Sequence, residues 1–317
     1  RSQFSNLPAF NPLVEQLFGF RTDRLPAETH FSPRVGFTYT VSNGSSEPGP
    51  PRFTIRGGFG DFRSPIPLAL VAAAQSATGL STSEQRLVCI GNNVPMPNWD
   101  DYLTDPSQIP SSCPSGGNSA LPTTSPQVTV FDREFGAPRA WRGSLGIQHR
   151  TGTWTLGVDL SWARGLGQSG FTDQNLGAER FTLASEGGRR VFVPAGLIDA
   201  NSGILPLAGS RKDTRFGQVL LLDSKLGSRS MAAIFSANGI TRGGISLQAS
   251  YSWSRSRDQS SGGGQGGPGG FAGQTAGLDP NERGWATSDF ERRHSILGIV
   301  TWPATSAGAT RAWIAGG

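Results

Sequence analysis

Apolar and polar residues alternate one for one along several long stretches of this chain. That period marks β-strands with one apolar and one polar face. The clearest pair is Arg139–Arg150 followed by Thr153–Arg164. Trp141, Leu145 and Ile147 share one parity of the first strand, and Trp154, Leu156, Val158, Leu160 and Trp162 share one of the second. The opposite parity carries Arg142, Ser144, Gln148 and Arg150, then Thr153, Thr155, Asp159 and Ser161. Thr151-Gly152 between them is expected to make a tight hairpin turn, since glycine takes positive φ without a Cβ penalty. The alternation recurs in Phe31–Ser42, Arg52–Phe62, Arg229–Gly239 and Gly244–Arg255, is weaker in Glu291–Trp302, and starts again at Ala309. Strands of about 12 residues are roughly twice the usual globular length. The hairpin alone suits a soluble β-sandwich as well as a membrane barrel.

The connections separate the two. Between these boundaries they run roughly 9, 76, 2, 64, 4, 35 and 6 residues, short and long in strict turn. Outer-membrane barrels sort short periplasmic turns from long outer loops in this way, whereas a sandwich has no reason to. The expected fold is therefore all-β: an antiparallel transmembrane β-barrel portion of about 8 long strands. Residues 1–30 read as an irregular lead-in broken by Pro8, Pro12 and Pro26, continuing an upstream barrel segment or loop. Residues 31–317 read as a partial barrel, with long loops at about 63–138, 165–228 and 256–290. Gln127–Phe131 and Val219–Leu222 are short apolar runs inside those loops. They are expected to be arms of loop hairpins, because counting either alone as wall spoils the alternation.

Composition points the same way. Apolar residues make up 36% of the chain, and 44 of its 317 residues are glycine. A large soluble core needs more, whereas a barrel with a wet lumen needs only one apolar face per strand. No run of about 20 apolar residues is present, so no transmembrane helix is expected. No leader is visible and the chain starts at Arg1, so the sequence reads as a piece of a longer product. Net charge is +5, and only Lys212 and Lys225 of the 28 basic residues are lysine. There is no compact basic run, so nucleic acid is not an expected partner; a basic lumen or attraction to anionic surface groups is.

Candidate chemistry is sparse. No nucleophile elbow, metal spacing or catalytic carboxylate pair has its required flanking pattern, so neither an enzyme nor a cofactor is expected. The glycine-rich stretch in residues 256–290 lacks a P-loop lysine and reads as loop. Cys89 and Cys113 lie in one Pro/Ser/Asn-rich segment, with no histidine spaced for zinc, and suit a loop-closing disulfide in an oxidising compartment. Arg34, Arg56, Arg142 and Arg150 fall on polar faces, where pairing with carboxylates of the strands or of a plug is the expected role. Asp289, Glu291, Arg292, Arg293 and His294 form the densest polar cluster. It reads as a rim network ordering a loop's return, with a binding or proton-handling site as the sharper alternative. Trp141, Trp154, Trp162, Trp253 and Trp302 read as membrane anchors. Trp99, Tyr102 and Trp285 are the loop aromatics placed to meet a ligand.

Five phrases, in this order, resemble Oar-like TonB-dependent receptors: FSPRVGFTY at Phe31–Tyr39, FTIRGGFGDF at Phe53–Phe62, PRAWRGSLGIQ at Pro138–Gln148, YSWSRSRD at Tyr251–Asp258 and SDFERRHSILG at Ser288–Gly298. The resemblance implies the C-terminal part of a large barrel in the bacterial outer membrane, touching outer-membrane lipid. It implies an upstream plug domain that engages a TonB complex, and energised uptake of an unidentified ligand. A structural or adhesive surface barrel without transport is the first alternative. A soluble secreted β-domain binding carbohydrate through its loops is the second.

Overall fold

The computed structural model describes residues 6–42, 50–80, 94–110, 125–198, 207–261, 277–303 and 310–316. Eight strands form an antiparallel meander: β1 (Arg34–Val41), β2 (Phe53–Arg63), β4 (Arg139–Thr151), β5 (Trp154–Asp173), β8 (Val219–Ile240), β9 (Ser246–Asp258), β11 (His294–Pro303) and β12 (Thr310–Gly316). Each pairs with the next along the chain, and β1 and β12 are the two edges of the sheet. The alternation expected from the sequence is present as a wall. Among the described residues no helix is long and apolar enough to cross a membrane.

The register lines the apolar residues up on one face. Ile55 stands opposite Ile147, which faces Val158, which faces Phe235, which faces Tyr251, which faces Ile296. Much of this apolar face stands open: Ile296 is 63% exposed, and Val35 and Phe37 on β1 are 69% and 56% exposed. The other face carries Ser144, Ser161, Ser236, Ser250 and Ser252 on neighbouring strands.

The tight turn lies one residue later than the sequence suggested. Thr151 pairs with Trp154, so Gly152 and Thr153 form the two-residue loop. Gly152 has φ 56° and, among the described residues, only glycines have positive φ, so the loop is a Gly-first turn of the II′ kind, matched to strand twist.

β5 and β8 run on past the rest of the wall, to 20 and 22 residues. The pairing slips between Gly165 and Gly170, and beyond the slip Phe171 faces Leu222 and Asp173 faces Leu220. Val219–Leu222 is thus the outer end of a wall strand and not the arm of a loop hairpin. The second long connection shortens to residues 174–218. Gln127–Phe131 is also not a hairpin arm: β3 (Val128–Phe131) lies parallel to Val219–Leu222, on the edge that β9 leaves free above Asp258.

This outer ribbon is the middle layer of a folded cap. One face packs Leu222 and Phe131 against Ile66, Val71 and Ala74, the last two on α2 (Leu68–Ser76). The other packs Val219, Leu221, Val128 and Val130 against Phe216 and against Val14 of α1 (Pro12–Phe18). The stretch read as an irregular lead-in therefore supplies a core helix. Asn11 caps it through Oδ1, which accepts the Leu13 and Val14 amides, and Gly19 ends it with φ 76°. In the other connections, β6 (Phe181–Leu183) and β7 (Arg189–Val191) form a small hairpin, α3 (Trp99–Thr104) is a short helix, and β10 (Ala286–Thr287) pairs with the top of β9.

Candidate functional site

Among the described residues, the polar face of the wall holds one ion pair, in a row that the register dictates. Arg56, Gly146 and Asp159 face each other across β2, β4 and β5. Arg56 Nη2 donates to Asp159 Oδ1 at 2.9 Å, over Gly146. A Cβ on Gly146 would stand 2.6 Å from Asp159 Oδ1 and 2.8 Å from Arg56 Nε, so only glycine lets the pair close across the strand between. Towards the outer side, the Arg34 guanidinium lies 4.3 Å from the Phe62 ring centre and that of Arg142 5.5 Å from it. Arg34 Nε also donates to the Asp61 carbonyl at 3.2 Å. Arg34, Phe62 and Arg142, with Ser144, Ser161 and Ser230, line a groove of about 890 Å³. Arg150 lies near the turn side with its side chain exposed. Of the four polar-face arginines, the structure gives a carboxylate partner on a neighbouring strand to Arg56.

The cluster before β11 is dispersed. Arg293 Nε donates to Glu291 Oε1 at 2.8 Å, and Ser256 N donates to Glu291 Oε2 at 2.7 Å. That backbone amide and the guanidinium hold the Glu291 carboxyl below the usual glutamate range. Arg292 and Asp289 enter through their backbones, to Ser254 Oγ at 2.6 Å and Ser261 Oγ at 3.0 Å. His294 stands on the apolar face, where its Nδ1 meets the Tyr251 hydroxyl at 2.8 Å. The arrangement orders the loop's return to the wall and does not gather these groups around a common point.

All five expected anchors share the apolar parity. Trp141 stacks on Phe59 at 5.1 Å, and Trp162 lies beyond the same ring at 6.4 Å. Trp154 covers Gly239 at the turn side, Trp302 is near the same end of β11, and Trp253 faces His294. Trp99 and Tyr102 meet edge to face at 5.9 Å on α3, with Trp99 70% exposed. Trp285 folds back onto β8, its ring 4.3 Å from the Arg229 guanidinium. Cys89 and Cys113 lie outside the described residues.

The densest polar bonding is in the cap, at residues the sequence reading did not single out. Arg283 binds Asp223 through both carboxylate oxygens, at 3.2 and 2.9 Å, with Asp223 buried and the Arg283 side chain nearly so. Asp173 pairs with Arg211 and accepts the amides of Asn175 and Val219. Asn281 clamps the Asp173 backbone in both directions, at 2.8 and 3.1 Å. Asn175 is fully buried and donates to the carbonyls of Asp213, Phe216 and Gly217. Arg215 lowers the Asp213 carboxyl to about 2. Burial pushes Asp132 up, yet the Glu134 amide and Lys225 outweigh it and leave this carboxyl lowered. The one local signal was Asp223 at the end of the run Val219–Leu222, a charge where an apolar strand continues inward.

The outer membrane beta barrel domain family matches residues 20–317. The chain belongs to that outer-membrane β-barrel family. Its apolar face is therefore the lipid face, its short turns are periplasmic and its cap lies outside the cell, in the bacterial outer membrane. A soluble secreted domain is set aside on the same ground. Among solved structures, the outer membrane transporter YddB from Escherichia coli is similar at 10% identity and a TM-score of 0.38, over 83% of this chain. The chain spans about a quarter (26%) of the length of that transporter chain. No curated protein matches it.

Proposed function

We propose that this β-barrel is the wall and outer cap of a TonB-dependent receptor that takes up a ligand with energy, without covalent chemistry. The observation that carries the proposal is a serine-lined inner face with a basic upper groove, standing below a folded cap. A ligand caught outside at the cap then has a polar surface to pass along. The Oar-like phrases at Phe31–Tyr39, Phe53–Phe62 and Ser288–Gly298 support the same assignment. The plug and TonB contacts belong to the rest of the receptor. In whole cells supplied with labelled iron chelates, glycans and peptides, receptor-dependent uptake of at least one class is expected, and a protonophore should abolish it. Uptake unaffected by the protonophore, or by deletion of the receptor, would sink the proposal.

A second role rests on the cap's own hydrophobic core, which makes it a stable display surface. In an adhesive barrel, deleting residues 174–218 would abolish surface attachment and leave every uptake rate unchanged.

A further inference from the structure

The apolar face ends upward in a row of arginines. Trp141, Arg164, Arg229 and Arg257 face each other in register across β4, β5, β8 and β9. Their parity is that of the lipid-facing residues, because Trp162 and Met231 lie two positions below Arg164 and Arg229. From Trp154 at the turn side to Arg164 is ten residues. At about 3.4 Å each and a tilt of about 40°, that is roughly 26 Å of height, the thickness of the apolar band. The arginines thus emerge where hydrocarbon gives way to headgroups.

Three like charges on adjacent strands, with Cα neighbours about 5 Å apart, repel one another. Among the described residues none of the three has a carboxylate within ion-pair reach. The nearest acid in the row, Asp61, lies beyond Trp141 and is taken by Arg63 at 3.2 Å. Arg255, opposite Met231, lies two positions below Arg257 on the same face; Glu291, close enough to feel its charge, is bonded to Ser256 and Arg293. Trp285 lies over Gly227, faces Arg229 and accepts from Arg257 Nη2 through its carbonyl at 3.3 Å. The Trp285 ring and carbonyl therefore hold Arg229 and Arg257 in place and leave their charge uncancelled.

We propose that Arg164, Arg229 and Arg257 form a binding site for the phosphate groups of outer-leaflet glycolipid. Three points select this occupant: the site continues the lipid-facing surface, its charge is opposite to phosphate, and guanidinium forks match phosphate oxygens. The site belongs to the wall and is independent of whether the barrel transports.

The test uses full-length protein in detergent, titrated with bisphosphorylated lipid A and with the same lipid A dephosphorylated. Tight, salt-sensitive binding of the phosphorylated form is expected. Loss of one arginine should weaken it about fivefold, and the triple change R164Q/R229Q/R257Q on the order of a hundredfold. The triple arginine-to-lysine variant keeps the charge without the guanidinium forks and should bind between wild type and the triple Gln variant, and Arg150→Gln on the opposite face should keep full binding. Equal binding of the two lipid forms, or of the triple Gln variant and the wild type, would overturn the proposal. So would inorganic phosphate competing at the concentration of lipid A phosphate, which would make this a free-phosphate site. Should the triple Gln variant not insert, single Arg164→Gln and Arg257→Gln variants decide, and wild-type affinity counts against the site.

Discussion

The wall and the cap use the same residue types in the same element and bury them oppositely. Val35 and Phe37 on β1 are 69% and 56% exposed, whereas Val219 and Leu220 on β8 are 0% and 2% exposed. The cause is what lies against each face. The wall gives its apolar side to lipid and its polar side to the lumen, so it has no core of its own. The cap sandwiches its ribbon between α1 on one side and α2 on the other, so both faces need apolar residues. Strand β8 passes from one regime to the other along its own length. Its alternation below Arg229 becomes the continuous run Val219–Leu222 above. Side-chain packing stability is therefore concentrated in the cap, while pairing and the bilayer hold the wall.

The sharpest way to break that contrast is to strand a charge in the cap. Asp223→Ala leaves Arg283 buried without its bidentate partner, which should cost about 3–5 kcal/mol. Protease added to intact cells should then cut the cap, while the barrel keeps its heat-modifiable gel migration. Loss of both together would mean that wall and cap unfold as one unit. A matched pair of leucines sharpens the point. Leu222→Ala opens a cavity in the cap core and should cost about 2–5 kcal/mol. Leu160→Ala on the lipid face should cost about 1 kcal/mol or less, since lipid tails are as apolar as the side chain they replace. Similar losses at the two sites, measured by urea unfolding in bilayers, would refute the division.

The same contrast explains what the sequence made legible. Each wall strand meets different solvents on its two faces, so alternation, strand order and the shared apolar parity of Trp141, Trp154, Trp162, Trp253 and Trp302 could be read from residues alone. The cap could not be read this way. Val219–Leu222 is buried on both faces and shows no period, and its partner Val128–Phe131 arrives from a distant connection in parallel. Helix α1 is 7 residues long, too short for a period, although Asn11-Pro12 and Gly19 marked its ends. The turn at Gly152 was misplaced by one residue because Thr151 suits both the strand end and the turn. Of the inner-face groups, Arg56 and Asp159 were visible as polar-face residues, but their pairing depends on a register that brings Gly146 between them.

Acid should separate the regions more gently. The Arg215 guanidinium lowers Asp213 from 3.8 to about 2. A carboxyl depressed on folding contributes stability that is fully present above 3.8 and fades as pH falls towards 2. Asp213 anchors the turn that Asn175 binds, so the effect belongs to the cap. The cap of Asp213→Asn should melt below wild type at neutral pH, and the difference should close between pH 3.8 and about 2. A gap unchanged across that window would remove Asp213 from the cap's acid response.

The smallest effect belongs to the wall's own ion pair. Arg56 and Asp159 are 67% and 44% exposed on the open inner face, where water screens them, so a double-mutant cycle of Arg56→Gln and Asp159→Asn should give a coupling of about 0–1 kcal/mol. That magnitude reports on the lumen as much as on the pair. If the inner face is wet, the coupling stays small and weakens further in high salt. If protein covers the pair and excludes water, the same 2.9 Å contact becomes a buried one, and removing one partner alone costs about 3–5 kcal/mol. Measured in the full-length protein, the cycle thus reads whether the row of Arg56, Gly146 and Asp159 borders water or protein. A dry result would give the wall a packed inner surface and narrow the contrast with the cap.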